Sequence, residues 1–156
     1  MITDEIRAEL FSCQDLKYRD FHSKLMPDYN KNNIIGVRSP QVRSIARAFS
    51  KREDINEFLF ELPHKFYEES NVHGFIICGF SDYDKTVKYL DDFLPFIRAK
   101  TLIVFGENDK VTPIYMAKKL HKKIKSSKLE IMQDAGHFCF VDKRVEFLTL
   151  LAEFLN

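Results

Sequence analysis

The sequence predicts a mixed fold: an all-α array of helices over residues 1–98, followed by a β-α-β-α unit over residues 99–156. Three observations predict it. Up to Ile97 the apolar residues recur at helical spacing, with no long stretch of period-two alternation. Beyond it, "TLIVFG" and "SKLEIM" are short, β-branched-rich runs on either side of an amphipathic, lysine-faced segment. Between the two, "FLPFIRAKTLIVFGENDK" (93–110) changes from helical to strand pattern within a few residues.

In chain order, Thr3 is the expected cap of a first helix with Ile6, Leu10 and Cys13 on one face. "QDLKYRDFHSKLMP" gives a second, with Tyr18, Phe21 and Leu25 on its apolar side, stopping before Pro27. "DYNKNNIIG" has the composition of a loop ending at Gly36. Ser39 as N-cap and Pro40 in the first turn open the next helix, which buries Val42, Ile45 and Phe49. "REDINEFLFEL" is a short helix ended by Pro63. "KFYEESNVHGFIICGF" is broadly apolar, with His64 and His73 read as capping or packing residues. Ser81-Asp82 caps "YDKTVKYLDDFLPFI", whose Val87, Leu90, Leu94 and Ile97 share a face. Short amphipathic helices joined by tight turns suggest stacked pairs, as in a solenoid.

In the last third, "KTLIVFG" (100–106) is a buried-strand signal. Thr112-Pro113 starts a helix with Ile114, Ala117, Leu120 and Ile124 inward and lysines outward. "SKLEIM" (127–132) is the second strand, "QDAGHFCFV" a loop, and Asp142 the expected cap of the final helix. A separation of about 22 residues between strands fits a parallel pair with a right-handed crossover.

Composition excludes several function classes. The formal net charge is +1, so no global field drives the chain to nucleic acid or an anionic membrane. Residues 1–98 hold 14 Lys+Arg against 16 Asp+Glu, and residues 99–156 hold 10 against 7. Any nucleic-acid binding therefore needs a local patch. Cys13, Cys78 and Cys139 are scattered, without metal-ligand spacing; no metal or cofactor is expected, and the thiols suit a reducing cytoplasm. The N-terminus has no signal-peptide pattern, and the apolar runs are too short for a membrane span.

Two families are resembled. "IIGVRSPQVRSIAR" (34–47), "ELPHKFYEESNVHGFII" (61–77) and "DYDKTVKYLDDFLPFI" (82–97) resemble, in order, the DNA alkylation repair family. That resemblance implies a HEAT-like helical array whose concave face holds DNA, with Arg38, Arg43 and Arg47 as candidate phosphate contacts. Arg43 and Arg47, at i and i+4, share a helix face. An amphipathic helix also carries arginines simply as a solvated face. The tryptophan-bearing helix and its Asp, expected soon after "FLPFI" in that family, are replaced by "RAKTLIVFG", and the chain has no Trp. Base excision is therefore not expected.

"LIVFGENDKVTP" and "DAGHFCFV" resemble the C-terminal segment of α/β-hydrolases. Matched position by position, Asp109 is the triad acid and His137 the histidine, 28 residues later. In that chemistry the carboxylate orients the imidazole, which acts as general base toward a serine hydroxyl. The nucleophile elbow is missing: the one near-match to G-x-S-x-G is "GFSDY" (79–83), which makes Ser81 a poor candidate because Tyr83 replaces the last Gly.

The sequence thus reads as a joint near Ile97–Lys100 between a truncated helical domain (1–98) and the Asp/His-bearing tail of a hydrolase (99–156). The leading expectation is a catalytically incomplete fusion that binds nucleic acid weakly at most. Its alternatives are an esterase-type α/β-hydrolase whose nucleophile comes from elsewhere, and an interaction module. "TLIVF" carries no charge and no Pro, so self-association through this strand's edge is also expected.

Overall fold

The computed structural model describes residues 1–27 and 29–156. Asp28, the first residue of the expected loop "DYNKNNIIG", lies outside the described residues. The chain divides into two compact units, Met1–Phe93 and Leu94–Asn156.

The first unit contains helices α1 (Ile2–Ser12), α2 (Leu16–Lys24), α3 (Ser39–Phe49), α4 (Ile55–Phe60), α5 (Tyr67–Cys78) and α6 (Tyr83–Phe93). Its core joins the expected stripes of Ile6 and Leu10 on α1 and Val42 and Ile45 on α3 with Phe58 and Leu59 of α4 and Val72 and Ile76 of α5. Not every expected stripe is inside. Phe21 on α2 and Leu25 at its C-cap are 58% and 63% exposed, and of the three only Tyr18 is half-buried. Thr3 caps nothing: α1 starts one residue earlier, and the Thr3 hydroxyl donates to Glu61. The N-cap of α3 is Arg38 rather than Ser39, with Pro40 in the first turn.

Two carboxylates tie this unit together from inside. Glu68 is 1% exposed; its Oε1 accepts the backbone N–H of Gly36 (2.7 Å) and Val37 (3.2 Å), and its Oε2 that of Ile35 (2.9 Å). Glu69, fully buried, accepts from Arg7 Nε at 2.7 Å and from the N–H groups of Lys65 and Phe66. A carboxylate out of water is tolerated only when its lone pairs are taken up in this way. Gly36 makes the segment's approach feasible: its φ is +94°, and a Cβ there would lie 2.6 Å from Arg19 Cβ.

The second unit starts five residues before the expected boundary. The helical pattern does not run on to Ile97: α6 ends at Phe93, and Leu94–Phe96 form a 3-10 turn packed against α7. Pro95 inside that turn has no N–H to continue an α-helical ladder. There follow β1 (Thr101–Gly106), α7 (Ile114–Lys123), β2 (Ser127–Met132), a short α8 (Cys139–Asp142) and α9 (Arg144–Leu155). β1 and β2 pair in parallel, Thr101 opposite Ser127 through Gly106 opposite Met132, as the crossover spacing requires. α7 covers both strands and buries Ala117, followed by Ile124. The core is small, built on Met132, Ala135 and Cys139 with Val104 and Phe147 against them. Asp142 does not cap α9; its Oδ2 accepts the Gly136 N–H at 2.8 Å. Among the described residues, no helix is long and apolar enough to cross a membrane.

Candidate active site

The turns after the two strands are fastened to one another at one end of the sheet. Glu107 N–H donates to Met132 O (2.9 Å) and Asn108 N–H to Ala135 O (2.8 Å). Gly106 permits this contact, because a Cβ there would sit 2.1 Å from Gly136 O. Asp134 turns the second loop with a φ of +55°, a conformation Asp tolerates better than most residues.

This fastening places Asp109 against His137, with Nδ1 of the imidazole 3.0 Å from Oδ2 of the carboxylate. Asp109 is thoroughly held. Its Oδ1 accepts the N–H groups of Val111 and Thr112, each at 2.8 Å, and its Oδ2 also takes the Thr112 hydroxyl. Its side chain is 3% exposed, while that of His137 is 39% exposed. Burial alone would raise the Asp109 pKa, but the hydrogen bonds from Thr112, His137 and Val111 outweigh it and hold the carboxyl well below the usual range. The acid is thus ionised at neutral pH and accepts the Nδ1 proton, which leaves Nε2 as the basic nitrogen. Phe138 lies edge-on to the imidazole, with centroids 5.1 Å apart.

Asp109 and His137, the two residues picked from the sequence, are therefore brought together. Thr112 was missed in its real role: it is not the N-cap of α7, which is Pro113, but a third donor to the carboxylate. Its position in "DKVT", three residues after the acid, is the signal that could have shown this, since Asp side chains bond local backbone in such turns. Ser81 lies in the other unit, between α5 and α6. A helix-to-helix connection is not the strand-turn-helix that exposes a nucleophile. Within the second unit Ser127 meets a histidine, with its Oγ 2.9 Å from His121 Nδ1. That hydroxyl donates to Ile124 O at 2.6 Å, so it accepts from the imidazole and is not activated by it.

The three arginines of α3 differ. Arg38 is occupied by Asp15 (3.0 Å) and lies over the Tyr18 ring. Arg43 stacks on Phe75 at 4.2 Å and, with Arg47, lines a cleft of about 480 Å³ floored by Ala46, Ile76 and Phe80. Among the described residues no carboxylate lines that cleft. Among the described residues no cluster of three or more His, Cys, Asp or Glu could hold a metal ion.

The sequence profile described as "alpha/beta hydrolase fold" matches residues 6–144, which is most of the chain. The chain belongs to the alpha/beta hydrolase fold family. Proline iminopeptidase of Lactobacillus helveticus (strain DPC 4571) is 36% identical over 94 residues, 60% of this chain and 27% of that protein. The AB hydrolase superfamily protein YisY of Bacillus subtilis (strain 168) is 31% identical over 88 residues, 56% of this chain and 32% of that one. An esterase from Exiguobacterium antarcticum aligns with 98% of this chain and 48% of its own, at 22% identity and a TM-score of 0.41. The chain spans about a quarter to a third of the length of these curated relatives. The expected kinship of the helical half with DNA alkylation repair proteins, and its HEAT-like array, find no support: the hydrolase profile begins inside α1 and runs through both units.

Proposed function

We propose that this chain carries the acid and base of a serine-type acyl hydrolase and is catalytically incomplete as it stands. The Asp109–His137 pair at 3.0 Å, with the carboxylate buried under four donors, is the observation that carries the reading. Asp109 fixes the imidazole as the Nδ1–H tautomer. Nε2 can then take the proton of an attacking hydroxyl and return it to the leaving alcohol or amine, while Asp109 stabilises the imidazolium between those steps. Among the described residues no hydroxyl is hydrogen-bonded to Nε2; the one hydroxyl near the ring, that of Thr112, is 3.3 Å from Nδ1. Ester or amide cleavage, the class in which the relatives' names fall, therefore awaits a nucleophile presented to Nε2. A fluorophosphonate probe tests this directly. The chain alone is expected to take no label and to turn over no activated ester above a His137→Ala control. A serine labelled in a His137-dependent manner would show instead that the nucleophile is within the chain, and that the enzyme is whole.

A second reading concerns the cleft beside α3. Arg43 and Arg47 lie one turn apart, and Arg43 is braced on an aromatic ring, an arrangement suited to phosphate oxygens. Weak, sequence-independent DNA binding that fades steeply with salt follows from it. Arg38, already paired with Asp15, contributes little. Binding unchanged in the Arg43→Glu/Arg47→Glu double variant would remove this reading.

A further inference from the structure

The two edges of the small sheet are not equivalent. β1 is hydrogen-bonded to β2 through one side, and which residues face that side can be read from the ends of the ladder. Thr101 N–H donates to Ser126 O at 3.1 Å, and Glu107 N–H to Met132 O at 2.9 Å. In a parallel pair a residue's N–H and C=O point to the same side and successive residues alternate. The odd-numbered residues 101, 103 and 105 therefore face β2. The N–H and C=O groups of Leu102 and Val104 face away from it, and among the described residues no hydrogen bond joins them to another segment.

The side chains on this edge invite pairing. "TLIVFG" has no charge and no proline, the two devices that commonly blunt an edge strand. The opposite edge, β2, carries Lys128 and Glu130. Only one of the two edges is thus protected against another strand.

We infer that the free edge of β1 pairs antiparallel with β1 of a second copy of this chain, about a two-fold axis normal to the sheet. Such an axis keeps each face of the sheet on its own side, so residues of like parity stand opposite one another. With Ile103 on the axis, Leu102 faces Val104 of the second copy and Val104 faces its Leu102. Both are residues whose backbone groups point outward, so each couple exchanges two hydrogen bonds. Thr101 stands opposite Phe105, a side-chain couple without charge. A second copy is favoured as occupant because this strand, set against itself, meets no like charge and no missing donor along its length. The arrangement is isologous and uses up both β1 edges, so it stops at two chains.

Sedimentation and amide exchange test the inference on the whole chain. Between about one and a few hundred micromolar the wild type should shift from monomer to dimer. The amides of Leu102 and Val104 should gain at least about tenfold protection over the same range, while those of Ile103 and Phe105 stay protected throughout. Leu102→Pro removes one outward donor and spares the β2 ladder, so it should remain monomeric, whereas Leu102→Ala should still dimerise. If Leu102→Pro fails to fold, the wild-type exchange pattern alone decides. A monomer across the range, protection of Leu102 and Val104 that does not depend on concentration, or a Leu102→Pro dimer as tight as the wild type would each overturn it.

Discussion

The two units solve the burial problem differently. Met1–Phe93 closes a broad apolar core and spends its charged interior residues on internal ties: Glu68 collects the N–H groups of residues 35–37, and Glu69 joins the start of its own helix to Arg7 of α1. Leu94–Asn156 has a small core and leaves Val111, Tyr115, Phe138, Phe140, Val141, Val145 and Leu148 about half exposed or more. Its one deeply held carboxylate, Asp109, is tied to a half-exposed imidazole. The first unit also exposes Leu16, Phe21, Leu25 and Phe60 by half or more, but around a broad closed core, whereas the second sets its Asp109–His137 pair beside a small core and more uncovered apolar surface for its length. A family member that spans about a quarter of a curated relative's length is expected to show such a contrast where its sheet is short of strands.

The contrast is broken most strongly at Glu68. Glu68→Ala leaves three buried N–H groups without an acceptor and is expected to cost about 3–5 kcal/mol, since each buried donor left unsatisfied costs about 1–3 kcal/mol. Hydrogen exchange read separately in the two units should show protection collapsing in α3 and α5 while β1 is unchanged. An effect spread equally over both units would mean that they do not behave as separate bodies.

Acid sharpens it next. His64 and His73 lie in the first core with Nε2 of one 2.7 Å from Nδ1 of the other, stacked on Phe58 and Phe93 respectively. Burial pushes His64 down to about 4, with Glu61 pulling it up and Arg7 down; burial and the neighbouring His64 push His73 down to about 3. Both pKa values lie below the unfolded value near 6.5, so the unfolded chain binds protons first. Their contribution is complete above about pH 6.5 and is lost as pH falls toward 3, on the order of 3 kcal/mol per histidine that must charge. Asp109 is likewise lowered, but its contribution persists until pH drops below the ordinary carboxylate range. Denaturant titrations from pH 7 to 4.5 should therefore weaken the first unit selectively. Replacing His64 and His73 together with Phe should flatten that slope, and a slope left unchanged would refute the assignment.

Gly106→Ala is expected to act in the second unit alone. The new methyl meets the backbone of Ala135 and Gly136, so the second loop must move, at about 1–3 kcal/mol of overpacking. Loss of the Asp109–His137 hydrogen bond, followed by the imidazole nitrogen signals, should accompany it. The smallest effect belongs to Arg43→Glu/Arg47→Glu, which should change stability by no more than about 0.5 kcal/mol per site.

Much of this architecture was legible. Spacing located α1, α3, α7 and both strands, and the loop motifs after the strands singled out Asp109 and His137, which the structure brings within hydrogen-bond distance. What failed did so for physical reasons. Phe21 and Leu25 lie at helical spacing yet stay exposed, because periodicity marks a face and not what covers it. The buried acceptor roles of Glu68 and Glu69 were not read from "YEES": those of Glu68 depend on residues more than thirty positions away in sequence, and Glu69 adds Arg7 of α1 to the local N–H groups of Lys65 and Phe66. The resemblance of the helical half to DNA alkylation repair proteins finds no support beside a hydrolase profile that runs through it; local helical sequence blocks recur across folds and carry little information on ancestry.

The claim at the centre is that His137 is held ready as a base by Asp109, and nitrogen NMR of the imidazole tests it most directly. In the neutral ring Nδ1 should carry the proton and Nε2 the free lone pair, and Asp109→Ala should mix the two tautomers. A neutral ring protonated on Nε2 in the wild type, or signals indifferent to Asp109→Ala, would contradict the prepared acid–base pair.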